Sequence, residues 1–173
     1  KLMIVGASMG GSVAISLVKE IPDLIDKIIF LSPAGFFGES KIIPFPLNQI
    51  GASFLGLSQV RKGLCRQAFA YPDKSVGSME EQIASIHLGC SGWRNSLASF
   101  AKSGGFAGTY KYMQNISIKT ICGENDRILG KKEINKIKQI DQLNFIGLKN
   151  CGHLPHVDLP SLSSKIIYDY FCT

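Results

Sequence analysis

Ser8 stands in Gly6-Ala7-Ser8-Met9-Gly10, a G-x-S-x-G arrangement between the apolar run Leu2-Met3-Ile4-Val5 and a helical pattern that starts near Gly11. A serine on so tight a strand-to-helix turn is held in a strained backbone conformation that lifts its Oγ above the sheet edge. Glycines two residues to either side leave room for the neighbouring strand and helix, and the Met9 N–H points to where an oxyanion would form. A serine hydroxyl is a poor nucleophile at neutral pH, so it needs a base that is itself oriented by a third group. The sequence holds three histidines. His87 falls in a helical stretch, and His156 reads as a helix-entry or pocket-lining residue. His153 follows Gly152 in the turn after the last strand-like run, where parallel α/β sheets gather active groups, and is the preferred base. Asp126, just past the strand-like run 116–122, is the preferred orienting acid, with Glu124 as its competitor. Either carboxylate would also suit a turn or a helix cap. Asp158 reads as the N-terminal cap of the closing helix.

Two other chemistries use a glycine-rich turn. A P-loop needs Lys after its last glycine, and Ser12-Val13 follow Gly11, which excludes it. Val5-Gly6-Ala7-Ser8 is similar to the turn of short-chain dehydrogenases, but Ser12 stands where that family's third glycine would fall. No acidic residue ends the second strand to hold a ribose, and no Tyr has Lys four residues later. The five cysteines (Cys65, Cys90, Cys122, Cys151, Cys172) form no C-x-x-C pair and suggest neither a zinc site nor a disulfide framework. Two histidines without a carboxylate cluster make a weak metal site, so no metal and no cofactor is expected.

Positioning these groups requires strands that end where they begin. Strand-like runs at 2–5, 27–31, 116–122 and 143–148 alternate with helical patterns, and the first strand, helix and second strand make a βαβ unit whose parallel crossover is right-handed. Residues 1–35 and 109–173 therefore read as one α/β core. Between them, residues 36–108 contain seven of the ten Phe and the only Trp, Trp93, with helical patterning at 59–70 and 79–103. This segment reads as a mainly helical insertion. The last helix is expected from Pro160 to about Phe171, with Pro in its first turn.

Composition narrows the function classes. Of 173 residues, 45% are apolar and 18% charged, which excludes a disordered chain. No run approaches the roughly 20 apolar residues of a membrane helix. The net charge of +6 comes from scattered Lys and Arg. The densest group, Lys131 to Lys138, is interrupted by Ile134 and Ile137 and reads as the solvated face of an amphipathic helix, so no nucleic-acid partner is expected. The chain opens at Lys1 directly into a strand, which suggests a piece of something longer. Reduced cytoplasm is the default location, and nothing in the sequence sets an oligomeric state.

Ile4-Val5-Gly6-Ala7-Ser8-Met9-Gly10-Gly11, Pro22-Asp23-Leu24-Ile25-Asp26-Lys27-Ile28, Gly123-Glu124-Asn125-Asp126-Arg127-Ile128 and Cys151-Gly152-His153-Leu154-Pro155 together resemble the C-terminal part of a lid-containing α/β-hydrolase. The order Ser8, Asp126, His153 is that family's chain order. The resemblance implies a mostly parallel sheet, present in part, with the insertion as a lid. It makes Ser8 the nucleophile, Asp126 the acid, His153 the base and Met9 an oxyanion donor, acting on a small or medium apolar acyl substrate. The lid aromatics imply an apolar pocket above Ser8. Serine at the elbow argues against haloalkane dehalogenases and epoxide hydrolases, which carry Asp there. Ester, thioester and carbon–carbon hydrolases would use the same residues, and a hydrolase-like receptor could retain them. The chain shows no counterpart of the family's earlier loop with a second oxyanion donor, whose loss typically costs about 2.7–4 kcal/mol of transition-state stabilisation. Its first strand would also be an open apolar edge. The expectation is that these 173 residues alone are poorly soluble and nearly inactive.

Overall fold

A computed structural model describes residues 1–113 and 116–172. Strands β1 (Leu2–Ala7), β2 (Ile25–Leu31), β3 (Ser117–Gly123) and β4 (Phe145–Leu148) form one sheet in the order β1-β2-β3-β4. Every neighbouring pair is parallel. All carboxyl ends therefore open on the same edge, the edge on which parallel sheets place their ligands.

The central strands β2 and β3 are buried on both faces, as their long apolar runs require. In β2, Ile28 and Phe30 face one layer, where Ala14, Ile15 and Val18 of helix α1 (Met9–Glu20) meet Ile137 of a later helix. Ile29 and Leu31 face the other, with Ile121, Leu148 and Cys151, against the last helix. The spacing of Ala14, Ile15 and Val18 gives α1 a single apolar stripe, and Pro22 closes it because proline cannot continue the helical ladder. At the edge, β1 leaves Leu2, Met3 and Val5 exposed at 51%, 54% and 44%.

Between β2 and β3 the chain forms helices α2 (Leu47–Leu55), α3 (Ser58–Ala68), α4 (Pro72–Ser75), α5 (Ser78–Ile83) and α6 (Trp93–Lys102). Helix α2 lies ahead of the first helical pattern read from the sequence in this stretch, 59–70. It is held by the buried Asn48, whose Nδ2 donates to Ala98 O of α6 at 3.1 Å. The single helical stretch expected over 79–103 is instead interrupted after α5, because Gly92 turns left-handed at φ 79° immediately before α6. After β3 come α7 (Gly130–Lys138), α8 (Pro155–Asp158) and α9 (Pro160–Cys172). Strand β4 is shorter than the 143–148 run suggests, since a 3-10 turn takes Asp141–Leu143 and Asn144 sits at φ 41°. In α7, Ile137 is fully buried while Lys131, Lys132, Lys136 and Lys138 are exposed, an amphipathic helix. Among the described residues no helix is long and apolar enough to cross a membrane.

Candidate active site

Ser8 lies between the last residue of β1 and the first of α1, at φ 48° and ψ −121°. Its left-handed φ is unfavourable for a side chain, so the surrounding hydrogen bonds must hold it there. Ser8 N–H donates to Leu31 O at 2.9 Å, and Ser8 O accepts from Gly11 N–H and Ala34 N–H, each at 2.9 Å. The turn is thus tied to the end of β2. The glycines that permit it differ from the expected pair. A Cβ on Gly6 would stand 2.7 Å from Gly10 O, and one on Gly11 would stand 2.7 Å from the Pro33 Cβ. Gly10, by contrast, has nothing within 4 Å of an added Cβ. The close approaches occur before the serine and one position later in the helix than the motif suggests.

His153 Nε2 lies 2.8 Å from Ser8 Oγ, and His153 Nδ1 lies 2.8 Å from Asp126 Oδ2. The three side chains come from the turns after β1, β3 and β4, and each parallel strand ends at the same edge. Asp126 is buried, and its second oxygen accepts from Ile128 N–H at 2.8 Å and Leu129 N–H at 2.9 Å. Burial works to raise its carboxyl, but the His153 hydrogen bond and charge, with those backbone donors, outweigh it and hold the carboxyl below its ordinary value. Glu124 is exposed and makes no part of this chain of bonds; its backbone N–H donates to Leu148 O. Met9 is the first residue of α1, where N–H groups have no intrahelical acceptor and the helix dipole favours negative charge.

The His153 turn is gripped from two sides. Its N–H donates to Ala68 O at the end of α3, at 2.7 Å. Asp158 Oδ2 accepts from Gly152 N–H at 2.6 Å and Ala70 N–H at 3.0 Å. The cap expected of Asp158 on the closing helix is therefore not what this carboxylate does. It lies within α8, and its oxygen ties the turn after β4 to the segment after α3. Gly152 must be glycine here, since a Cβ would stand 2.4 Å from Ala68 O. The other histidines lie apart: His156 is exposed in α8, and the half-buried His87 ring packs at 5.2 Å on Trp93.

A cavity of about 430 Å³ opens over Ser8 and His153. Its walls are mainly aliphatic: Leu64, Ala68, Ile83, Ala84, Ile128, Leu154 and Val157, with Cys65 and one aromatic residue, Phe69. An apolar pocket above Ser8 is present as expected, but of the insertion's aromatics only Phe69 lines it. Phe36 and Phe37 pack into the core instead, Phe36 edge-on to Phe30 at 4.9 Å. Phe100 and Phe106 meet edge-on at 5.3 Å beside a smaller hollow that includes Met9. Arg61 and Glu80, which no motif marked, also line the main cavity. Burial pushes the Cys122 and Cys151 thiols up to about 12, the state of inert core cysteines. Among the described residues no group of three or more His, Cys, Asp or Glu is arranged to hold a metal ion.

The 2-hydroxy-6-oxo-6-phenylhexa-2,4-dienoate hydrolase of Rhodococcus sp. strain RHA1 superposes on the whole of this chain with a TM-score of 0.73 at 19% identity. This is an α/β-hydrolase fold. A serine hydrolase of the bacterium Cycloclasticus zankles gives a TM-score of 0.71 at 16% identity over 99% of the chain. In sequence, the α/β-hydrolase domain-containing protein VTE7 of Arabidopsis thaliana is 25% identical over 98% of the chain. No family model matches. The chain spans 53% of the length of VTE7 and 64% of each of those two solved chains. Ser8, Asp126 and His153 occupy the turns after β1, β3 and β4, all at the carboxyl edge of the sheet.

Proposed function

We propose that this is a serine hydrolase that cleaves an ester or similar acyl bond of a small or medium apolar substrate. The observation that carries the reading is the continuous pair of contacts, Ser8 Oγ to His153 Nε2 and His153 Nδ1 to Asp126 Oδ2, each at 2.8 Å. Ser8 Oγ attacks the carbonyl carbon as its proton passes to His153 Nε2. Met9 N–H stabilises the resulting oxyanion. The intermediate collapses, the bond to the leaving group breaks, and His153 returns its proton to the departing oxygen. Water then adds to the acyl-serine carbonyl while giving a proton to His153, the acid leaves, and that proton restores Ser8. Asp126 keeps the imidazole in the tautomer with hydrogen on Nδ1 throughout. No cofactor enters the cycle.

In this reading residues 36–108 are a lid over the acyl pocket, and residues 1–35 and 109–173 are the core that carries the chemistry. The aliphatic walls of the cavity favour an apolar acyl chain. Thioester or carbon–carbon hydrolysis would draw on the same side chains, and the name of the Rhodococcus neighbour keeps the latter in view. Labelling of the full-length protein with a fluorophosphonate tests the reading, with Ser8→Ala as control. Ser8-dependent labelling and turnover of an ester panel are expected. Absence of Ser8-dependent labelling overturns the enzyme, and fast labelling without turnover of any ester, thioester or diketone favours a receptor.

A further inference from the structure

Arg61 lies on α3 and lines the same cavity as Ser8 and His153. One end of its guanidinium, Nη2, donates to Ala84 O. Its Nε is buried and has no hydrogen-bond partner. Among the described residues no carboxylate forms an ion pair with it. Glu80 shares the cavity wall, but its Oε2 accepts from Gly77 N–H at 2.8 Å. Guanidinium stays charged at every physiological pH, and a buried donor left without an acceptor is costly. The Nε itself is shielded, so it is the guanidinium as a whole, in the wall of a pocket otherwise mainly aliphatic, that gains from a ligand that brings its own oxygen.

We infer that the acyl part of the substrate carries a carboxylate, and that Arg61 receives it while the scissile carbonyl sits at Ser8. This rests on the hydrolase reading and deepens it, since it turns a general apolar acyl pocket into one selective for ω-carboxylated acyl groups. A carboxylate suits the site because guanidinium N–H groups bind its two oxygens with charge-assisted hydrogen bonds, while the aliphatic walls cover the methylenes between. The anchored Nη2 fixes the plane of the guanidinium in advance, which lowers the ordering needed on binding.

The experiment compares matched p-nitrophenyl esters on the full-length enzyme: succinate, glutarate and adipate monoesters against butyrate, valerate and hexanoate. The members of each pair differ only in a terminal carboxylate or methyl. At one chain length the carboxylated ester is expected to have a kcat/KM at least about tenfold above its partner, chiefly through KM. Arg61→Met should bring that ratio to one or below, and Arg61→Lys should restore part of it. Because the readout is a ratio within one sample, partial loss of folded protein cancels. Turnover with no carboxylate preference at any length, or a preference that survives Arg61→Met, overturns the subsite and leaves the hydrolase standing. Failure of Ser8-dependent fluorophosphonate labelling overturns the hydrolase reading and the subsite with it.

Discussion

Asp158 Oδ2 holds Gly152 N–H at 2.6 Å, one residue before the histidine that meets Ser8. The same oxygen takes Ala70 N–H at 3.0 Å, so a single carboxylate couples the helical insertion to the His153 turn. Hydrogen bonds to a charged acceptor contribute about 1.5–3 kcal/mol each at most, and losing one also leaves a donor unpaired. Asp158→Ala is expected to lower stability by about 2 kcal/mol and to reduce kcat more than it changes KM, because the imidazole loses its fixed position. Asp158→Asn, which keeps an acceptor oxygen, should recover most of both. Thermal melts and steady-state kinetics on the full-length protein check this, and an unchanged kcat in Asp158→Ala would remove the positioning role.

Gly6 and Gly10 are equivalent in the G-x-S-x-G pattern and unequal in the fold. A Cβ at Gly6 meets backbone 2.7 Å away, whereas one at Gly10 meets nothing within 4 Å. Gly6→Ala should destabilise by about 1–3 kcal/mol through overpacking. Gly10→Ala should be neutral or stabilise by a few tenths to about 1 kcal/mol, since alanine suits a helix better than glycine. Denaturant titration of the two variants separates them, and equal losses would contradict the packing at the elbow.

Asp126 has a carboxyl held below its ordinary value in the folded protein, so folding favours its ionised form. The stabilisation is present above the unfolded value of about 3.9 and is lost as pH falls through the folded value. Asp126→Asn lacks it. The stability gap between wild type and Asp126→Asn should therefore be present at about pH 5 and close on further acidification. At neutral pH the same variant is expected to lose on the order of 10⁴ in kcat, because the asparagine amide stabilises the wrong imidazole tautomer. Urea midpoints across the pH series, with kinetics at pH 7, provide the measurement.

The β1 edge exposes Leu2, Met3 and Val5 beside unpaired backbone groups. Such an edge pairs readily with another chain. The 173-residue chain expressed alone should self-associate, and Met3→Lys with Val5→Lys should shift it toward monomer by placing charge on the edge. Light scattering after size-exclusion chromatography reads the difference. A monomeric, soluble wild-type chain would show that this edge is tolerated.

Local chemistry in the sequence was enough to mark Ser8 on its strand-to-helix turn, to bound the four strands to within a few residues, and to assign an α/β class with helices between the second and third strands. Those features depend on neighbours: glycines at a tight turn, β-branched runs, apolar positions at helical spacing. The sequence favoured Asp126 over Glu124, although spacing alone does not separate two turn carboxylates only two residues apart. The parallel sheet sets the two apart, burying Asp126 against His153 and leaving Glu124 exposed. The sequence could not foresee that Asp158 would bind Gly152 and Ala70 rather than cap a helix, or that Arg61 would share a cavity with Ser8. The bond from Ala70 to Asp158 and the cavity shared by Arg61 and Ser8 join positions far apart along the chain. Local propensity carries no information about such pairs, and only the packing of the insertion onto the carboxyl edge of the sheet brings them within reach.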